Sequence, residues 1–249
     1  MLSFTSSLSP DSEAFVIFVT EKCYYSDKRN VLSKDTIKKI NSYLSVLKVK
    51  KKEEDLNSFD ISDKQKCFVI KVKNKYESYS PQETGGNFFS CLKNFKDIKK
   101  IDFYPDTLDF DKEKLGNFFS QFIFGFNLKG YVFNKYKTVN KEKIDKKINY
   151  KIITSNKEKI EKKYKFYDTI KEGVFLTRDL VSEPPNVLNP KSYVNEIKKL
   201  SKLGLKIKSY DEKELKKLGL NALLGVGQGS ANETYLVTIE WSGKNNSLK

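Results

Sequence analysis

Ala14-Phe15-Val16-Ile17-Phe18-Val19 is a run of six consecutive apolar residues. A continuous apolar run of this length, too short for a core helix, is the pattern of a strand covered on both faces of a sheet. Cys67-Phe68-Val69-Ile70-Lys71-Val72 has the same character, and Ile101-Asp102-Phe103-Tyr104 is a third strand, ended by Pro105. Helical spacings lie between them. With Ser33 as N-cap, Ile37, Ile40, Tyr43, Leu44 and Leu47 form the inward stripe of one helix. Phe88, Phe89, Leu92 and Phe95 mark a second, and Leu115, Phe118, Phe119, Phe122 and Ile123 a third that runs to about Gly125. Strands alternating with helices predict an α/β layer structure with a mostly parallel sheet. Residues 1–10 are small and polar and predict only a tail or the lead-in to a strand.

Gly85-Gly86 reads as a break in the chain, a turn before the second helix; without a phosphate-loop context it is not a nucleotide signal. Residues 148–153 predict the last strand of the first domain. Ser155 followed by Glu158 has the spacing of a capping box. From there Ile160, Tyr164, Tyr167, Ile170, Val174 and Val181 keep helical spacing until Pro184-Pro185 stops it. A helix this long, charged in its first half, reads as a connector between domains. The division expected is therefore an α/β domain over 1–154, a connector helix over 155–183 and the start of a second domain over 184–249. In that last part Pro190 opens a helix, residues 205–208 alternate as a strand, and residues 212–218 form a short helix ended by Gly219. Residues 223–230 read as a glycine-rich strand-to-loop segment and 235–241 as a strand. Residues 242–246 then make a turn, and 247–249 begin a partner strand.

Composition narrows the chemistry. The 249 residues contain no histidine, which excludes His-ligated metal sites and Ser-His or Cys-His nucleophiles within them. Cys23, Cys67 and Cys91 are scattered, odd in number and without a CxxC pair, so neither a disulfide framework nor a zinc knuckle is expected. No stretch approaches the roughly 20 apolar residues of a membrane span, and the start lacks the form of a secretory signal. The formal charge of +15 is almost entirely lysine. The basic stretches 48–52 and 141–147 sit beside acids, and lysine lacks the forked geometry that reads bases. A solvated surface is the reading of this charge, with nucleic acid as the alternative partner.

Three segments resemble the leucyl (cytosol) aminopeptidase family. Gly173-Val174-Phe175-Leu176-Thr177-Arg178-Asp179-Leu180-Val181-Ser182-Glu183-Pro184-Pro185-Asn186-Val187-Leu188-Asn189-Pro190 follows its G-v-x-x-A-R-D-L-V-N-x-P-x-N-x-x-x-P pattern. Residues 218–230, LGLNALLGVGQGS, are similar to its l-G-m-x-a-l-l-a-V-g-x-G-S segment, and residues 131–137, YVFNKYK, to its Y-x-F-d-x-Y-K element. One departure stands out: Asn232-Glu233-Thr234 replaces a proline pair usual in the family.

The resemblance implies a macro-like N-terminal α/β domain and a zinc-exopeptidase-type catalytic domain that removes N-terminal residues, leucine preferred, from peptides. It also implies a cytoplasmic hexamer and two divalent metals (zinc, manganese or magnesium) that polarise the carbonyl and activate a water. The family's ligands are aspartates, a glutamate and a lysine, so the absence of histidine is compatible with it. Its first ligand motif, G-K-G-x-x-F/Y-D-S/T-G-G, and its later N-T-D-A-E-G-R-L motif do not occur in these 249 residues. Lys244 lacks the flanking glycine and downstream aspartate and is not the metal-binding lysine. No catalytic, metal or cofactor-binding residue is therefore assigned. The chain is expected to be a truncated form, inactive alone, with a non-catalytic DNA-binding or multimer-forming role as the alternative. Arg178 and Asp179 are expected to be structural. Gly227 and Gly229 are expected to allow positive φ or close backbone approach, and Asn186 to bond backbone after the proline pair.

Overall fold

A computed structural model describes residues 2–25, 27, 29–49, 55–139 and 147–242. The chain divides into two compact units, Met1–Leu176 and Thr177–Lys249. The expected turn and partner strand over 243–249, and most of the two basic stretches, lie outside the described residues.

In the first unit the central apolar run becomes β2 (Ala14–Thr20), with β4 (Gln65–Val72) and β5 (Lys100–Tyr104) beside it in parallel. β6 (Asn149–Ile153) continues the parallel array beyond β5, and the two-residue β1 (Phe4–Thr5) pairs with β6 at that edge. The lead-in of residues 1–10 is thus a short edge strand, anchored by buried Leu2. At the other edge lies β3 (Leu56–Ser62), antiparallel to β4, a strand that the apolar-run reading passed over. Its composition alternates: Phe59 and Ile61 face one side, and Leu56 packs on the other. The six-stranded order is β1-β6-β5-β2-β4-β3, an α/β sheet that is parallel except at β3.

Successive residues of β2 feed opposite cores, which is why its sequence has no polar face. Phe15, Ile17 and Val19 pack with Ile40, Leu44 and Leu47 of α1 (Lys34–Val49). Ser33 caps that helix as expected, its Oγ accepting from the Thr36 amide at 3.2 Å. Val16 and Phe18 face α2 (Ser80–Leu92) and α3 (Lys112–Lys129). The Phe18 ring meets those of Phe118, Phe119 and Phe122 edge-on at 5.1–5.8 Å between centroids. Aromatic pairs in this geometry add about 0.5–1.5 kcal/mol each beyond area burial.

Two expectations fail here for one reason. α2 runs straight through Gly85-Gly86 instead of breaking there, and α3 continues past Gly125 to Lys129. The two helices approach so closely that a Cβ on Gly85 would overlap the Phe122 carbonyl oxygen, and one on Gly125 the Gln82 carbonyl oxygen. These glycines are contact points between helices and not turns. Gly86 is different: a Cβ there would stand 3.7 Å from its nearest neighbour, the Gly125 carbonyl oxygen.

The long helix is α4 (Lys157–Ser182), and it begins later than the predicted cap. Ser155 gives its amide and hydroxyl to Asp106 (2.6 and 2.8 Å), and the first helical turn instead closes on the Asn156 carbonyl. A carboxylate acceptor makes a stronger hydrogen bond than a neutral cap provides. The charge-rich first half of α4 carries its buried residues, Ile160 and Tyr164, both packed in the α2–α3 core. That half is therefore part of the first domain's structure and not a bare connector.

In the second unit α5 (Pro190–Lys199) starts at a capping box of Asn189 and Ser192. β7 (Lys206–Tyr210) and β8 (Leu236–Glu240) form an antiparallel pair. Between them α6 (Glu212–Lys217) is capped reciprocally by Asp211 and Glu214 and ends at Gly219, whose φ is +73°. Of residues 223–230, expected as a strand-to-loop segment, the first five lie instead in the helix α7 (Asn221–Gly227). Leu220, Ala222, Leu223 and Leu224 favour helix enough to carry the two glycines within it. Among the described residues no helix is long and apolar enough to cross a membrane.

The glycine contact generates a paired prediction. Gly125→Val forces two backbones apart and should cost about 3 kcal/mol or more by urea unfolding. Gly86→Ala meets no obstacle and should stabilise by about 0.5–1 kcal/mol through helix propensity. Equal effects from the two substitutions would contradict the close-approach account.

Candidate functional site

In a sheet of this type, ligands bind outside the carboxyl ends of the strands where successive connections leave in opposite directions. That point lies between β2 and β5: β2 leads to α1 on one face, and β5 to α3 on the other. Side chains of the chain itself fill it. Tyr104, fully buried at the end of β5, donates from its hydroxyl to Asp27 Oδ1 at 2.7 Å. Asp27 also accepts from the amides of Val31 and Leu32, each at 3.1 Å, which folds the loop after β2 back on itself. Asp106 binds Thr154 and Ser155 after β6, with Arg29 at 4.0 Å. Thr107 Oγ1 accepts from the Phe18 amide at 2.9 Å and lies 2.9 Å from the Phe18 and Tyr104 carbonyls, tying β2 to β5. The loop contains two non-glycine residues at positive φ, Cys23 and Asn30.

Burial, then the bond to and charge of Asp27, push the Tyr104 phenol well above the ordinary tyrosine value. Burial likewise raises Tyr25 to about 12, and its buried hydroxyl has no partner among the described residues. The arrangement is a polar latch that closes the ligand crevice of the fold. It could not be read from the sequence, because Tyr104 and Asp27 are 77 positions apart.

The donor set for a metal is also wanting. Among the described residues no group of three or more His, Cys, Asp or Glu could hold a metal ion. All three cysteines are free, and burial raises the Cys67 and Cys91 thiols, which makes them poor ligands. The residues described do not fit a two-metal centre.

Most of the residues in the two longer segments that carry the family pattern form structure in the second unit. Arg178 and Asp179 lie within the last turns of α4. Asn189, not Asn186, makes the cap after the proline pair: its side chain accepts from the Ser192 amide at 3.1 Å. Neither Gly227 nor Gly229 has positive φ. A Cβ on Gly227 would collide with the Thr234 side chain, so close approach is the reason at that position, whereas Gly229 has open space around it. Only Val194 and Leu215 are buried among the described residues of this unit. Val226 and Trp241 are 85% and 74% exposed, and Leu203, Leu218 and Ile239 are exposed as well.

Tyr104→Phe removes a hydrogen bond to a charged acceptor and should cost about 1.5–3 kcal/mol in urea unfolding. Because its folded value is raised, the phenol contributes stability fully below its unfolded pKa of about 10 and loses it as pH rises through the folded value. The wild type should therefore lose more stability than Tyr104→Phe above about pH 10. Parallel alkaline profiles would rule out the latch.

Residues 175–249 match the model of the cytosol aminopeptidase family, catalytic domain. A probable cytosol aminopeptidase of Phytoplasma mali (strain AT) is 40% identical over 167 residues, 66% of this chain and 33% of that protein. One from Agrobacterium fabrum is 40% identical over 157 residues, 62% of this chain and 31% of that protein. The chain thus spans about a third of the length of these curated relatives. Among solved structures, a tomato leucine aminopeptidase mutant superimposes with a TM-score of 0.70 at 17% identity, over 96% of this chain and 50% of that one. The bottromycin maturation enzyme BotP, whose complex with Mn is also solved, gives 0.64 at 13% identity, over 93% of this chain and 46% of that one. At these identities the structures speak for the fold, and the sequence matches speak for descent. The chain is thus similar to the cytosol aminopeptidase family, with residues 175–249 matching the model of its catalytic domain.

Proposed function

We propose that these 249 residues are the N-terminal share of a leucyl-type aminopeptidase, with residues 184–249 the start of its catalytic domain. The observation that carries the reading is the second unit. It matches the family's catalytic-domain model, yet among its described residues it buries only Val194 and Leu215 and leaves its other apolar side chains half-buried or exposed. Apolar surface buried from water yields about 25 cal/mol per Å², and a unit of this size that buries two side chains gains little of it. Further strands and helices of a catalytic domain would cover these residues.

In this reading the substrates are peptides with an N-terminal leucine or similar residue, and the protein is a cytoplasmic hexamer. The divalent metals, manganese or zinc, are held by side chains outside the 249 residues. The described residues supply no ligand set, so no hydrolytic step is assigned to them. The first unit serves as an accessory domain, and its closed crevice argues against nucleotide binding there.

The test is an assay of the 249-residue chain on leucine p-nitroanilide with added Mn²⁺. Turnover should stay at background alone, and appear on co-expression with the remaining catalytic residues of a curated relative. Clear turnover by the chain alone would sink the proposal. The charge of +15 favours one alternative, a non-catalytic DNA-binding or multimer-forming role. It requires affinity for DNA that falls steeply with salt, and no retardation at low salt would eliminate the DNA-binding form.

A further inference from the structure

The first unit holds a second polar constellation, away from the latch. Asn127 lies near the end of α3 and Tyr150 on β6, while Tyr164, Asp168 and Lys171 follow one face of α4 at helical spacing. The Asn127 amide donates to the hydroxyls of Tyr164 at 2.8 Å and Tyr150 at 3.0 Å. Asp168, one turn on from Tyr164, pairs with the Lys171 ammonium. The Tyr150 hydrogen is the one poorly used. Its acceptor is the Asn127 carbonyl oxygen at 3.3 Å, on the same amide that already donates to it. Burial raises both phenols above the ordinary tyrosine value, so Tyr150 remains a donor at neutral pH.

These groups line a cavity of about 270 Å³. Its other walls include the rings of Phe89, Phe126 and Phe175, with Leu2 and Ile148, and Lys147 is a second cation on its lining. The volume falls just under the range of roughly 300–1,000 Å³ that encloses drug-sized ligands, which suits a smaller molecule. An acid and a base stand side by side at its polar edge, and the Tyr150 hydroxyl, whose hydrogen bond to Asn127 Oδ1 is long at 3.3 Å, stands near them. A ligand carrying a single charge would engage only one member of the Asp168–Lys171 pair. A ligand carrying both charges satisfies both.

We propose that this cavity binds a free α-amino acid with an apolar side chain. Its carboxylate accepts from Tyr150 and Lys171, its ammonium is held by Asp168, and its side chain lies against Phe89 and Phe126. The assignment stands on the cavity alone and does not depend on the peptidase reading, so either can fail without the other.

Titration calorimetry of the 249-residue chain with L-leucine and L-phenylalanine tests it. Saturable binding is expected, weakened about tenfold or more in N-acetyl-L-leucine, which lacks the ammonium, and in L-leucinamide, which lacks the carboxylate. Tyr150→Phe keeps the ring and should weaken binding about tenfold. Lys171→Met, on a side chain that is partly exposed, should weaken it at least as much. No saturable binding of either amino acid, or binding that both substitutions leave unchanged, would overturn the site. N-acetyl-L-leucine binding as tightly as L-leucine would overturn the amino-acid assignment.

Discussion

The backbone contact between α2 and α3, at Gly85 and Gly125, sets the geometry of the first unit. Because neither residue has a Cβ, the helices can sit close enough for both to reach the same strip of sheet. Phe88 from α2 and Phe122 and Phe126 from α3 then converge on Phe103 of β5, with ring centroids 5.5–6.2 Å apart. One face of the sheet is thereby covered at its centre by aromatic side chains. The other face needs only α1, whose Ile40, Leu44 and Leu47 lie over Phe15, Ile17 and Val19. A larger residue at either glycine would open the aromatic layer from its middle.

What could be read from the sequence follows from the range of the interaction responsible. β2, β4 and β5 were legible because burial on two faces leaves an unbroken apolar run, which is a local signal. β3 was not, because an edge strand with half-buried faces carries only Phe59 and Ile61 as clues among polar residues. The glycine pair was misread for the same physical reason. Glycine marks a turn when the cause is its own φ, but here the cause is a helix more than 35 positions away. The cap of α4 moved from Ser155 to Asn156 because Asp106, 49 residues earlier, captures the serine. Of the functional features, the likeness to the family was legible, carried by residues 173–190 and 218–230. The Asp27–Tyr104 latch and the Asn127–Tyr150–Tyr164 network were not, since each joins residues distant in sequence.

The two units differ in how they meet the demand for burial. The first has apolar clusters on both faces of its sheet. The second has well-formed local structure, with two reciprocal helix caps and a positive-φ glycine at a helix end, but scarcely any core. Capping and a two-stranded ladder set local conformation and contribute about 1 kcal/mol each, which does not replace a core. The same segment is the one that matches the family's catalytic-domain model, and the proposal that more of such a domain covers its faces rests on that pairing.

Amide hydrogen exchange on the 249-residue chain tests that account most directly. Amides of β2, β4 and β5 should exchange slowly, through opening of the whole first unit. Amides of β7 and β8 should exchange orders of magnitude faster, and slow down only when the remaining catalytic residues of a relative are supplied. Protection of β7 and β8 equal to that of β2 in the chain alone would contradict the central claim that the second unit is a share of a larger catalytic domain.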